Sequence, residues 1–285
     1  SERVKVIQVG IGGMGNTWLQ TVEQSSEVEF AGFVEINQEI ADQQAQAYDL
    51  DPTTIYTSLD DALAVLEADA ILNVTPPQFH LDISRIALEA GLPVLSEKPL
   101  AGTLADAREI VKIAEQTSLP YMVAQNYRYS ALAQMVKSLL ESAELGTVSA
   151  VHVHFAKGPH FGGFREAMDH PLIIDMAIHH FDLLRFFIGS NPQQIMARSW
   201  NPAWSWYRGD ASATVHTTFQ NGVEASYNGT WCSQGMETTW NGNWRFECER
   251  GILNVRDDTV YIQESTGVED RGGLRAPPRW VPSQG

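Results

Sequence analysis

Between Leu172 and Gly189 the chain reads Leu-Ile-Ile-Asp-Met-Ala-Ile-His-His-Phe-Asp-Leu-Leu-Arg-Phe-Phe-Ile-Gly, an apolar helical run that carries acids and histidines. On an α-helix Asp175, His179 and Asp182 stand at i, i+4 and i+7 and share one face, with about 5–6 Å between the first two Cβ atoms. At that separation a carboxylate can orient an imidazole. A histidine steered by an acid takes up a proton in one step and returns it in another, which is the work of a general base near neutral pH. The same pattern also suits a polar seam in which both histidines only satisfy hydrogen bonds. His180 points about 100° around the helix from His179 and is expected to pack.

A second candidate group is Lys98, in Ser96-Glu97-Lys98-Pro99 at the end of a short apolar run. An ammonium at the end of a buried strand can hold a substrate hydroxyl and stabilise an alkoxide as it forms. A Glu97–Lys98 surface ion pair is the plainer alternative.

The elements that position these groups begin with an apolar strand over residues 4–10, then Gly10-Ile-Gly12-Gly13-Met14-Gly15 and a helical run over 16–23. This is G-x-G-x-x-G between a strand and a helix. Gly10 permits a tight turn, Gly12 lets the backbone approach a pyrophosphate, and Gly15 lets the helix pack closely; the helix N-terminus adds N–H donors and positive dipole. A second strand, residues 28–34, ends at Glu35, twenty residues beyond Gly15. An acid there accepts hydrogen bonds from the adenosine ribose and repels a 2'-phosphate, which favours NAD over NADP.

The alternation continues with a helix from about Ser58, a strand over 69–74 and a helix over 78–90 opened by Thr75-Pro76-Pro77. Ligands of open α/β sheets bind at the C-terminal ends of strands, so Asn73, Thr75 and Pro76 are expected to line the cofactor cleft. His80 either touches the cofactor or satisfies the core. A helix over 103–116 and a strand over 121–124 complete a first domain of residues 1–124.

Gln125-Asn126-Tyr127-Arg128-Tyr129 crosses into a second domain, residues 125–285, with a helix over 131–141 and a strand over 147–156. His152 and His154 fall on one face of that strand, but no third ligand at a diagnostic spacing joins them, and no metal is expected. A glycine-rich loop over 157–171 enters the Asp175 helix, and Arg165, His160 and His170 are its candidates for meeting a substrate. Short alternating strands follow at about 194–199, 211–219, 223–231, 240–247 and 252–255, the pattern of an antiparallel sheet. Seven of the eight tryptophans lie beyond residue 199. Trp204 or Trp206 could stack on the C–H face of a sugar, although such aromatics more often pack sheets and subunit interfaces.

Composition narrows the partners. The 285 residues carry 19 Lys and Arg against 35 Asp and Glu, a net charge of −16 that repels nucleic acid and anionic membranes. No apolar run reaches the roughly 18 residues of a membrane span, and the N-terminus shows no signal-like apolar region, so a soluble cytoplasmic protein is expected. Cys232 and Cys248 read as free thiols.

Taken in order, the glycine loop, Thr75-Pro76-Pro77 with His80, Glu97-Lys98-Pro99 and Asp175-x-x-x-His179 resemble the glucose-fructose oxidoreductase and inositol dehydrogenase family, over about residues 4–251. The resemblance implies an N-terminal Rossmann domain with a parallel sheet. It implies a C-terminal α/β domain built on a large open, mainly antiparallel sheet for substrate binding and oligomerisation. By carry-over Lys98, Asp175 and His179 match the family's catalytic residues, Glu35 its ribose-binding acid, and Glu97 lies with Lys98 beside the cofactor. The crossover implies a cofactor contact from Asn126 and substrate contacts from Tyr127 and Arg128. The function so implied is NAD-dependent hydride transfer between nicotinamide and a hydroxyl of a sugar, inositol or related polyol. An NAD-dependent glycosidase with no net redox and a non-catalytic nucleotide or sugar sensor are the alternatives. A homo-oligomer, dimer or tetramer, is expected if large aromatics occupy an open sheet face. The resemblance implies that family members commonly continue into further strands and a helix past the point where this chain stops, so either this chain is truncated or it lacks those segments.

Overall fold

Val4–Val9 (β1) is the strand on which the first half is built. Its side chains Ile7 and Val9 are almost wholly buried, and it pairs in parallel with Val28–Val34 (β2) on one side and Ala70–Asn73 (β4) on the other. Ile55–Tyr56 (β3), Val94–Ser96 (β5) and Tyr121–Val123 (β6) complete a six-stranded parallel sheet of order β3-β2-β1-β4-β5-β6. The chain direction of this order reverses between β1 and β4, and a crevice opens at such a switch point. Five helices connect the strands: α1 (Gly15–Glu23), α2 (Gln38–Tyr48), α3 (Leu59–Leu63), α4 (His80–Glu89) and α5 (Leu104–Thr117). Their starts are set locally. Asn37 accepts from the backbone N–H groups of Glu39 and Ile40, Ser58 from that of Asp61 and Thr103 from that of Asp106, which satisfies donors that helix geometry leaves unpaired.

The structure is a computed structural model that describes residues 3–265 and 279–282, and it divides into two compact units, 1–124 and 125–285. The second contains α6 (Ala131–Glu141), β7 (Val148–Ala156), α7 (Gly163–Ala167), a widened helical turn over Leu172–Ala177 and α8 (Ile178–Ile188). Seven further strands follow: β8 (Pro192–Trp200), β9 (Ser212–Phe219), β10 (Glu224–Thr230), β11 (Asn243–Cys248), β12 (Gly251–Arg256), β13 (Thr259–Glu264) and β14 (Arg279–Val281). With β7 they form an eight-stranded sheet of order β14-β13-β12-β11-β7-β10-β9-β8, antiparallel throughout except where β7 meets β10. Strand alternation separates its faces. Val151, Val153, Phe155, Tyr227, Trp244 and Phe246 pack with Val136 of α6 and Leu183, Leu184 and Phe187 of α8 in one core.

Two expectations change here. The sheet runs on past residue 255 through β13 and β14, whose mixed polar sequences hide the alternation. The run from Leu172 is also not one regular α-helix: the turn over Leu172–Ala177 is wound in the wider π manner before α8 begins at Ile178. On the sheet, Tyr227 and Trp244 are buried in the core, while the register puts Trp200 and Trp280, both exposed, on the open face with His152, His154, Thr214 and Asn228. Among the described residues no helix is long and apolar enough to cross a membrane.

Candidate active site

In the first unit the turn after β1 is shaped by what cannot be there. A Cβ on Gly10 would stand 2.9 Å from the carbonyl oxygen of Val74, and its φ of +91° is one that side-chain-bearing residues rarely adopt. A Cβ on Gly15 would meet the Gly10 carbonyl oxygen at 2.9 Å. Gly12 and Gly13 have no such close backbone neighbour, which leaves their surface open for a ligand to approach. Glu35, just after β2, is half-buried beside this turn. Its Oε2 accepts from the Ile11 N–H at 3.2 Å and its Oε1 from the Asn37 N–H at 3.0 Å. A carboxylate has about four acceptor sites, so two held by the backbone fix its orientation and leave capacity for ribose hydroxyls.

The ends of β4 and β5 carry the other expected cofactor residues. Asn73 is buried; its Oδ1 accepts from the N–H and hydroxyl of Thr75, while its Nδ2 finds no acceptor among the described residues. A buried amide donor without a partner is costly, and at a strand's C-terminal end it fits a ligand acceptor. The glycine turn, Glu35 and this orphaned amide together fit a dinucleotide.

Two residues of the same region tie its loops together. His80 has no exposed surface. Its Nε2 lies 2.8 Å from the Thr75 carbonyl and its Nδ1 2.9 Å from that of Pro99, so it fastens two strand-end loops from beneath rather than touching a cofactor. Glu97 accepts from the indole N–H of Trp18 at 2.8 Å and from the backbone N–H of Lys98 at 3.0 Å, tying α1 to the loop that carries the lysine.

In the second unit the wide turn carries Asp175, and His179 follows in the first turn of α8. Both are nearly buried. Asp175 lies in the wide turn, whereas His179 and Asp182 stand three residues apart within α8 and both meet the Asn126–Tyr129 turn. Asp182 pairs with Arg128, whose Nε donates to its Oδ2 at 2.9 Å and whose Nη2 donates to its Oδ1. This two-point pair holds the Asn126–Tyr129 turn against α8. The neighbouring Tyr127 stacks on the His179 ring at 4.2 Å between centroids and 16° between planes. Burial, with Asp258 adding, raises the Tyr127 phenol above its ordinary pKa, so it stays neutral. His180 is fully buried; its Nδ1 accepts from the Tyr227 hydroxyl at 3.3 Å and its Nε2 donates to the Trp240 carbonyl at 3.1 Å. Burial depresses its pKa to about 4, partly opposed by the Trp240 carbonyl. It packs as a neutral imidazole.

The glycine-rich loop contributes a contact that spacing alone does not disclose. The Arg165 Nε donates to Asp175 Oδ2 at 2.7 Å. The Arg165 guanidinium lies 5.2 Å from the Phe161 ring centroid and 4.8 Å from that of Phe164. The two phenylalanines were missed as site residues, although Phe161-Gly-Gly-Phe164-Arg165 brackets the arginine in the sequence. Trp204 is largely exposed with its indole N–H on the Cys232 carbonyl at 3.4 Å, while Trp206 stacks on His160 at 3.8 Å. His170 sits near Asp210 at 3.7 Å. His152 hydrogen-bonds Ser226 at 2.7 Å, and among the described residues no group of three or more His, Cys, Asp or Glu is placed to hold a metal.

A family model described as an oxidoreductase family with an NAD-binding Rossmann fold matches residues 4–125, and the GFO/IDH/MocA C-terminal domain matches residues 133–254. An uncharacterized protein of Sinorhizobium fredii is 30% identical over 79% of this chain and 65% of its own length. The inositol 2-dehydrogenase of Corynebacterium glutamicum is 30% identical over 67% of this chain and 56% of its own. The chain thus spans less than two thirds of the length of these relatives. Among solved structures, an oxidoreductase from Agrobacterium radiobacter in complex with NAD+, L-tartaric acid and magnesium superposes with a TM-score of 0.87 at 19% identity, covering 99% of this chain and 80% of that one. The myo-inositol 2-dehydrogenase of Lactobacillus plantarum gives 0.77 at 20% identity, covering 89% and 76%. The two structures speak for the fold, and the family models speak for descent: the chain belongs to the Gfo/Idh/MocA family of NAD-binding oxidoreductases.

Proposed function

We propose that this protein is an NAD-dependent dehydrogenase that moves hydride between a hydroxyl of a sugar, inositol or related polyol and the cofactor. The observation that carries the reading is the cradle of the first unit, where the Gly10 turn and the backbone-anchored Glu35 stand together. Glu35 supports NAD over NADP, because a second anion beside it is repelled. Relatives named inositol 2-dehydrogenase and 1,5-anhydro-D-fructose reductase support a polyhydroxy substrate.

Bound NAD supplies the hydride acceptor. His179 removes the hydroxyl proton, and its stacking on Tyr127 restricts the ring to one plane. Lys98 stabilises the alkoxide as it develops. Asp175, held by Arg165, supplies negative charge one turn before His179, which favours the imidazolium that forms.

The test couples binding to turnover. Thermal unfolding is compared with NAD and with NADP, since a ligand at about 100 times its Kd adds about 2.7 kcal/mol; NADH formation is then followed over sugars, inositols and sugar acids. The expected result is a larger shift with NAD and NADH from a polyhydroxy compound. A larger shift with NADP overturns the Glu35 assignment, and glycoside cleavage with retained cofactor and no NADH replaces the dehydrogenase by a redox-neutral glycosidase.

A further inference from the structure

We infer that the substrate of this site carries a carboxylate and that Arg165 receives it, a step that rests on the dehydrogenase reading and narrows its substrate class to sugar acids. A guanidinium offers five N–H donors in a planar fork. In Arg165 the Nε donor is taken by Asp175 at 2.7 Å, and no described residue accepts from either Nη. Two phenyl rings, Phe161 and Phe164, lie over the guanidinium. What remains is the Nη edge in the plane of the fork, the geometry that matches a carboxylate with two parallel hydrogen bonds.

The arginine is also held in advance. Its anchor to Asp175 and the flanking rings limit its rotamers, so little side-chain entropy is lost when an anion arrives. The side chain is 28% exposed, enough for access and little enough to strengthen a charge-assisted bond. Other charges of the loop are spent elsewhere: Lys157 on Glu237 and Asp169 on Arg208. Phe161 and Phe164 are 46% and 60% exposed, leaving apolar ring surface beside the fork for the C–H groups of a sugar. Asp175 already shares the guanidinium, so a monoanion is accommodated at less repulsion than a phosphate dianion. Asp175 lies one turn before His179, which puts the carboxylate receiver beside the proposed base.

The measurement is a ratio. kcat/KM with NAD is determined for D-glucuronate against D-glucose and for D-gluconate against D-glucitol in the wild-type enzyme, Arg165→Gln and Arg165→Lys. Calorimetric binding of the same compounds to the NAD-loaded protein runs alongside. The acid is expected to be favoured at least tenfold by the wild type; the ratio should fall toward one in Arg165→Gln and lie between in Arg165→Lys. A purely structural arginine would depress both members of a pair alike and leave the ratio unchanged, which overturns the inference. So does equal use of acid and neutral compound by the wild type, or preference for glucose 6-phosphate over the acids. Failure of the dehydrogenase reading looks different: Arg165-dependent binding of the acid without NADH supports the anion receiver and removes the reaction, whereas NADH from the neutral members alone keeps the reaction and removes the receiver.

Discussion

Around the turn after β1 the groups that matter belong to the main chain. Gly10 is required because of the Val74 carbonyl, and Glu35 is aimed by the N–H groups of Ile11 and Asn37. Around α8 the corresponding work is done by side chains: Arg165 holds Asp175, Tyr127 covers the His179 ring, and Arg128 fastens the crossover turn through Asp182. A backbone site is set by local geometry and tolerates almost no change at its glycines. A side-chain site is assembled from residues far apart in sequence, and each partner can be exchanged at a graded cost.

The largest effect separates the two regions by function. His179→Ala is expected to lower kcat by about 10²–10⁴, the usual contribution of a positioned acid-base group, while the NAD-induced rise in Tm persists. Loss of that rise together with turnover would mean that the two regions are not separable. Gly10→Ala probes the other side of the comparison. A Cβ forced against the Val74 carbonyl at φ +91° should cost about 1–3 kcal/mol of stability and abolish NAD-induced stabilisation. Retained stabilisation in calorimetry would show that the turn needs no glycine there.

A smaller effect comes from pH. His180 is held neutral in the fold with its pKa depressed from 6.5 to about 4, whereas the unfolded chain takes up the proton near its ordinary value. Its contribution to stability is therefore complete above about pH 6.5 and is lost as pH falls toward 4. Between pH 7 and pH 5 the wild type should lose about 2 kcal/mol more unfolding free energy than His180→Gln. Denaturant unfolding at both values checks this, and equal losses would mean that His180 is not held neutral.

How much was legible follows from these particulars. The Gly10 turn and Glu35 could be read because strand, glycine spacing and acid lie within one βαβ unit. His80 looked equally suited to cofactor or core because a single histidine does not announce its hydrogen-bond partners; burial against the Thr75 and Pro99 carbonyls decided it. The partner of Asp182 could not be read because Arg128 lies 54 residues earlier and no spacing links the two. Strands β13 and β14 escaped notice because polar residues alternate weakly with apolar ones there.

By itself the sequence determined the order of strands and helices, the dinucleotide turn and the residues able to move a proton, since these depend on local spacing, propensity and side-chain chemistry. Only the tertiary structure decided which of those residues meet: Arg165 with Asp175, Tyr127 with His179, and Arg128 with Asp182. Such pairings depend on how a helix is wound and which sheet face it covers, and side chains buried together by packing need have no relation in the linear chain.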